Sequence, residues 1–478
     1  MSDPNGKNGL VDDATLITDT GSSFRDSVSN IDKKGKRIWI FPTKPSGRFH
    51  RARLIVGYFL LAVFFILPLI KKNGQPYFLV DIFNRKFILF GTIWWPQDFF
   101  IFAIGALALA VFIVLFTAIF GRIWCGWACP QTVFMELVYR KIEYWIEGDA
   151  GKQKALKKQA MNPDKFFKKF SKHSLFIALS FIINATVLSY IFGLDVVISM
   201  LTTNPGANSG GLISLAVLTV LFYLNYSWFR EQACTYVCPY GRLQSVLVDK
   251  NSMVVAYDFK RGEPRGKIKN GAIQEGHGSC INCGSCVRVC PTGIDIRNGN
   301  QLECVGCTNC IDSCDHIMDS IKQPRGLIRY TSLSNIEEGV KFKFTYRIMF
   351  YIAILTLLMT VFGVLVLSRN DVEATILRAR GSTYIVKDNG NIVNIFTMKI
   401  MNKTFLEKVL TLKTENIKGT FTFAGTDKLI LKPNDILEGT FLIEIPHSEL
   451  KHIKNRVVIG VYLGNKQIDR VTTTFSGP

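Results

Sequence analysis

Five stretches of this 478-residue sequence contain no Asp, Glu, Lys or Arg: residues 54–70, 99–120, 174–194, 211–229 and 348–368. About 20 helical residues cross a ~30 Å hydrocarbon core, so these runs predict five transmembrane helices and argue against a soluble globular protein. The first run is the shortest and needs flanking residues to span. The run "FILFGTIWW" at 87–95 is too brief to cross, and Trp94 and Trp95 suit an interfacial anchor. Cysteine is absent before residue 125 and after residue 314, although the chain holds 12. Acidic residues are also scarce, 37 against 57 Lys and Arg, giving a net charge of +20. The bases cluster beside the apolar runs, which explains them by membrane orientation and anionic lipid, and leaves no case for nucleic acid.

Loop charge sets the expected orientation, because loops rich in Lys and Arg stay on the cytoplasmic side. Residues 1–53 hold ten such residues and 121–173 hold eleven, against four in 71–96 and none in 195–210. The N-terminus, the 121–173 loop and the segment 230–347 are therefore expected in the cytoplasm, with the tail beyond the fifth span outside. No cleavable signal peptide is expected, since 53 mostly polar residues precede the first run. The domain expectation is a cytoplasmic tail (1–53), four spans (54–245), a soluble cysteine-rich domain (246–345), a fifth span (346–369) and an outer domain (370–478). The basic loop 149–173 predicts an amphipathic helix on anionic headgroups.

Eight cysteines form two runs of one spacing. Cys280, Cys283, Cys286 and Cys290 are spaced C-x2-C-x2-C-x3-C and followed by Pro291, and Cys304, Cys307, Cys310 and Cys314 repeat the spacing. In two-cluster ferredoxins, three cysteines of such a run hold one 4Fe-4S cube and the fourth holds the other. Cys280, Cys283, Cys286 and Cys314 are thus expected to share one cluster, and Cys304, Cys307, Cys310 and Cys290 the second. Structural zinc usually takes two separated cysteine pairs, which tandem triplets with a trailing fourth fit poorly. Asp315 stands where a proline is expected after Cys314. His277 and His316 flank these complete cysteine sets and read as solvated. A reducing compartment keeps regularly spaced thiols free for metal rather than disulfides.

The other four cysteines lie just past spans two and four, in "WCGWACP" (124–130) and "ACTYVCP" (233–239). On a continuing helix, spacing of i, i+4 stacks Cys125 with Cys129 and Cys234 with Cys238, and Pro130 and Pro239 perturb the helix just after. Four soft thiolates at one membrane depth select Cu(I), zinc or an iron-sulfur cluster, and spacing does not choose among them. Arg230 and Glu231 at the end of span four either pair with each other or line this site. Residues 374–478 alternate short β-favouring runs with turns such as "DNGN" and "KPND", predicting roughly seven strands in a β-sandwich.

Several stretches, "GRIWCGWACPQTVF" (121–134), "WFREQACTYVCPYGRLQS" (228–245), "AYDFKRGEPRGK" (256–267), "CIDSCDHIMDSIKQPRGLIRY" (310–330), "FPTKPSGRFHRAR" (41–53) and "WWPQDF" (94–99), closely resemble the CcoG family, also called FixG or RdxA, of cytochrome c oxidase accessory proteins. The C-x3-C-P pairs and the tandem cluster motif also occur singly in quinol-linked membrane proteins of the NapH and NosR type. Their combination with "RGEPRG" and an outer domain points to CcoG. The resemblance implies a polytopic α-helical bacterial inner-membrane protein with an inserted two-cluster ferredoxin-like domain and a periplasmic immunoglobulin-like sandwich. It implies a cupric reductase that converts Cu(II) to Cu(I) for cbb3-type cytochrome oxidase, with Cys125, Cys129, Cys234 and Cys238 binding the copper. Expected partners are oxidase subunits or copper-delivery factors and an electron donor. Two other functions compete: a quinol-linked electron carrier, for which only the Trp94–Asp98 region suggests a quinol site, and a non-enzymatic copper-holding scaffold.

Overall fold

The computed structural model describes residues 36–477 except 73, 83–85, 203–208, 268–274, 341–343, 380, 382, 389, 425–428 and 434. Five helices are long and apolar enough to cross a membrane: Arg48–Leu69, Phe99–Phe120, Pro163–Phe192, Ser209–Phe229 and Tyr346–Leu367. Their outward faces carry apolar side chains such as Phe59, Leu109, Leu221 and Leu357, all exposed. Helices greasy all round belong in lipid rather than water. The first helix begins at Arg48, upstream of its uncharged run, because Asp312 accepts hydrogen bonds from the Phe49 and His50 amides at 3.1 and 2.7 Å and satisfies its first turn.

The chain divides into two compact units. The first comprises Met1–Ile66, Leu107–Leu188 and Ile198–Leu357. It contains the ferredoxin-like fold, in which strands Val254–Tyr257 and Ile328–Thr331 pair antiparallel and helices Ser285–Arg288 and Asn309–Ser320 carry cysteines. Val255, Tyr257, Ile294, Ile296, Ile311 and Met318 fill the core around those thiols. The 149–173 loop corrects the expectation of one amphipathic helix. Ala150–Lys158 is a short helix, and Gln159 turns extended (φ −61°, ψ 142°). Pro163 then opens the third long helix, where its missing amide costs nothing.

The second unit comprises Leu67–Ala106, Ser189–Val197 and Leu358–Pro478. Its sandwich has one sheet ordered Thr420–Phe423, Ile436–Ile445, Ile392–Asn402, Val372–Arg378, with Ile385–Val386 also on Ile392–Asn402, and a second ordered Leu429–Leu431, Lys408–Thr414, Lys454–Leu463, Lys466–Ser476. The two sheets hold nine strands among the described residues, against roughly seven expected, and Ile385–Val386 and Leu429–Leu431 are the shortest. Phe396, Phe441 and Phe475 are fully buried between the sheets and take the place of a core disulfide.

The expected anchor at Trp94 is instead part of a three-stranded sheet, Leu79–Asp81, Lys86–Leu89 and Thr92–Trp94. Asp98 is buried beneath Arg369 at 2.7 Å and Lys403 at 2.8 Å. Burial alone would raise this carboxyl, but hydrogen bonds from Arg369 and Lys403 outweigh it and hold it below the ordinary carboxylate range. The region weighed as a quinol site thus has its one carboxylate committed to two cations.

Candidate functional site

The repeated cysteine spacing yields a repeated backbone. Asn282 and Gly306, each two residues after the first cysteine of a run, have φ of 54° and 68°, and Gly284 and Thr308, each just after the second, have φ of 66° and 64°. Left-handed residues set between ordinary ones turn successive amides inward, the concavity that receives anionic groups. A short helix follows each turn and brings in the third cysteine.

Two cavities result. One, of about 360 Å³, is lined by Cys280, Cys283, Cys286 and Cys314, and the other, of about 350 Å³, by Cys290, Cys304, Cys307, Cys310 and the far side of Cys286. The trailing cysteine of each run therefore lies in the cavity of the other. Apart from Tyr257, Ser285 and Arg297 in the first and two threonines in the second, the remaining walls are apolar or backbone. Among the described residues no three His, Cys, Asp or Glu side chains close on a single ion. Thiols spread around an apolar hollow suit a multi-atom cube better than one zinc. Burial pushes Cys304 up to about 11 and Cys307 and Cys314 up to about 12, with neighbouring thiols adding to the rise. Metal loading must therefore release protons.

Arg297 is ion-paired to Asp295 at 2.6 Å and donates to the Asn282 side chain at 2.6 Å. Asp315, in the place of the expected proline, is buried, accepts from the Gly326 amide at 2.9 Å and adds to the rise at Cys314. His277 and His316 are exposed.

At the four remaining cysteines the helix does not continue through each pair, in keeping with the proline that follows it. Cys129 and Cys238 have extended backbones (ψ 126° and 110°), and each caps a new helix whose first residue is the proline, Pro130 or Pro239. Proline forces the preceding residue out of the helical region and fits a helix start. Cys125 ends up on a single helical turn, Ile123–Trp127, and Cys234 on a wide π turn, Ala233–Val237. The four thiols lie near enough to influence one another, although among the described residues no three of them close on a single ion. Burial pushes Cys234 up to about 12, and Cys129, Cys125 and Cys238 each raise it further. Burial likewise takes Cys125 to about 12, with Cys129 and Cys238 adding to it. Its Sγ donates to Oε1 of the fully buried Gln244 at 3.2 Å, whose Nε2 has no partner.

This thiol set abuts the second cavity. A Cβ on Gly126 would lie 2.7 Å from the Cys307 amide nitrogen, so glycine is what allows the loop between Cys125 and Cys129 to rest on the cage backbone. Two arginines hold the contact. Arg53 is buried, donates to the Gly126 carbonyl at 2.7 Å and reaches Asn309 Oδ1 at 3.5 Å. Arg122 donates to the carbonyls of Leu302 and Cys304 and to that of Gly241, just past Cys238.

Below the thiols, Arg230 makes a bidentate pair with Glu143, both at 2.9 Å, and Glu231 pairs with Arg37 at 2.9 Å. Arg230 Nε also stands 3.6 Å from Glu231, so the neighbours share a larger network with Glu136–Arg140 and Glu147–Lys172. Arg230 has φ of 54° between two π turns, a strained conformation that its double pairing fixes. Sequence reading missed Glu143, Arg53, Arg122, Asn309 and Gln244. Arg122, Asn309 and Gln244 lie inside or beside the cysteine motifs, whereas Arg53 and Glu143 carry no such signal.

Comparison with known proteins matches a 4Fe-4S dicluster domain to residues 229–333, a 4Fe-4S binding domain to 102–153, and the family described as an IG-like fold at the C-terminal of FixG to 362–478. The chain is similar to the nitrogen fixation protein FixG of Rhizobium meliloti, 33% identical over 434 residues that cover 82% of each chain. It is similar to the protein RdxA of Cereibacter sphaeroides, 33% identical over 425 residues covering 86% of each. A crystal structure of a FixG-related protein from Vibrio parahaemolyticus aligns with 23% of this chain and 97% of its own at 15% identity, with a TM-score of 0.20.

Proposed function

The chain belongs to the FixG/RdxA family of iron-sulfur electron-transfer proteins, and from that premise we propose that it reduces Cu(II) to Cu(I) at the four membrane-edge cysteines. The observation that carries this reading is the contact of Gly126 with the Cys307 backbone. It brings the loop between Cys125 and Cys129 against one of the two cavities with four or more cysteines in their walls. Cys280, Cys283, Cys286 and Cys314 are assigned to one 4Fe-4S cluster, and Cys304, Cys307, Cys310 and Cys290 to the other. When bound, the two clusters supply one-electron relay.

The protein's own groups do the rest. The membrane-edge cysteines present soft sulfur, which favours Cu(I) over Cu(II). Each copper ion needs one electron, and a thiol pair without outside supply would end as a disulfide. Arg53 and Arg122 hold the thiol-bearing loops to the cage. The N-terminus and the clusters are assigned to the cytoplasmic side of a bacterial inner membrane and the sandwich to the periplasm. Cu(I) so formed would serve assembly of a cbb3-type oxidase, through its subunits or copper-delivery factors. The quinol-linked reading gains no support from the Trp94–Asp98 region.

The test is anaerobic purification with iron, sulfide and copper analysis, then Cu(I) formation with a Cu(I)-specific chelator in wild type and Cys125→Ala/Cys129→Ala. About eight irons per chain in both, with copper and reductase activity lost in the variant, are expected. About twelve irons falling to eight in the variant would establish a third cluster there instead. Clusters without reversible reduction would favour a copper-holding scaffold.

A further inference from the structure

Of the twelve cysteines, Cys283 is the one exposed to solvent. It lines the cavity farther from the membrane-edge thiols in the chain of contacts, so electrons bound for those thiols have their nearest approach from outside at Cys283. Glu263, bonded to the cavity-lining Tyr257, and Asp295, bonded to the cavity-lining Arg297, are both ion-paired, with Arg265 and Arg297 respectively. Arg288 is exposed and donates from Nη1 to the Cys283 carbonyl at 2.8 Å.

The stretch before the first span runs along the same face. The Thr43 amide donates to the Arg288 carbonyl at 2.9 Å. Arg48 stands 3.6 Å from Asp315, the neighbour of Cys314, with its side chain 64% exposed. Lys44 and Arg51 on that stretch are exposed as well. Asp312 and Asp315, also next to the cage, are buried and already hold backbone amides. Asp149, the one exposed carboxylate bonded to the stretch, accepts from the Lys44 amide at 2.9 Å.

We propose that this face, Cys283 with Arg288 beside it and Lys44, Arg48 and Arg51 on the adjoining stretch, docks a small acidic one-electron carrier protein of the ferredoxin or flavodoxin type. Charge complementarity selects such a partner and speeds its approach. The reduced carrier would pass one electron to the cluster that Cys280, Cys283, Cys286 and Cys314 would hold. No atom or proton is exchanged, and the oxidised carrier departs. The inference rests on the preceding reading for the electron's destination, but docking is measurable without copper.

The experiment uses the full-length, cluster-loaded protein in detergent, with a reduced plant-type ferredoxin as probe and dithionite as a small donor. Cluster bleaching is followed by anaerobic stopped flow. In Arg48→Glu/Arg288→Glu the second-order rate with ferredoxin is expected to fall about ten-fold or more at low salt. Its salt dependence should flatten, Arg48→Lys/Arg288→Lys should keep most of the rate, and dithionite should bleach all forms alike. An unchanged ferredoxin rate after charge reversal overturns the proposal. So does an unchanged rate accompanied by weaker binding to phosphatidylglycerol vesicles, which would assign the cations to lipid headgroups. If the reversed variant does not bleach with dithionite, Arg48→Gln/Arg288→Gln is read in its place, with a smaller fall expected and no fall overturning the proposal. Dithionite-driven Cu(I) formation in the wild type tests the copper reading separately, since its failure leaves the ferredoxin rates interpretable.

Discussion

Residues 280–290 and 304–314 share one cysteine spacing and one backbone, yet they stand in opposite surroundings. The first run has an exposed thiol at Cys283 and a solvated arginine beside it. The second has Cys307 buried under Gly126, with Arg53 and Arg122 bridging it to the loops that carry the other four thiols. The spacing specifies a cage, and it does so twice. What each cage is for depends on neighbours that the spacing does not encode. On the proposed route, the exposed Cys283 marks the entry side and the Gly126 contact the exit side.

The largest expected effect comes from breaking the second cage outright. Cys307→Ala should lower iron from about eight to about four per chain and abolish Cu(I) formation, while the first cage still bleaches with dithionite. Retention of copper reduction would mean that the second cage is not on the route. A finer break leaves all ligands in place. Gly126→Ala puts a Cβ 2.7 Å from the Cys307 amide, so the loop must shift, at a cost of about 1–3 kcal/mol. Cu(I) formation should fall several-fold with iron content and dithionite bleaching unchanged. A wild-type rate in this variant would show that close approach of loop and cage is not limiting.

The exposure difference gives a third comparison. Under ferricyanide and a chelator, iron should leave in two phases, with the Cys283 cage emptying first. A single phase would contradict the contrast between the cages. The smallest effect on either cage is expected from Asp98, which serves as a control. Its carboxyl is held low by Arg369 and Lys403, so its contribution is complete above the unfolded carboxylate value near ~3.9. That contribution is lost as pH falls through the lower folded value. Asp98→Asn should therefore weaken the sandwich unit at neutral pH, by about 1–3 kcal/mol, and remove this part of its acid sensitivity. Far-ultraviolet circular dichroism would report it, with iron content unaltered.

The elements written in local pattern were legible in advance. Five uncharged runs gave five helices, and the cysteine runs gave two cavities with their fourth ligands crossed over. Alternating β-favouring segments gave a sandwich. At Cys129 and Cys238 two local signals compete, the i, i+4 spacing that suits a continuing helix and the proline that disfavours one, and the structure follows the proline. Arg53 was counted toward orientation like any basic residue before a span. Its contact with Gly126 is 73 positions away and with Asn309 256 away. Glu143 gave no signal either, since a lone glutamate in a basic loop carries no mark of the buried arginine it meets 87 residues on. Long-range partners of single charges are set by packing, which no local period records.

The cap on the first long helix has a consequence in time. Asp312, which satisfies the amides of Phe49 and His50, is made 263 residues after Phe49. At about 5–20 residues per second that is a delay of roughly 13–53 s. During synthesis the leading span must enter the bilayer with its first turn unfinished, and it stays so until the ferredoxin segment has left the ribosome and folded back. The first helix to be born is among the last to be completed.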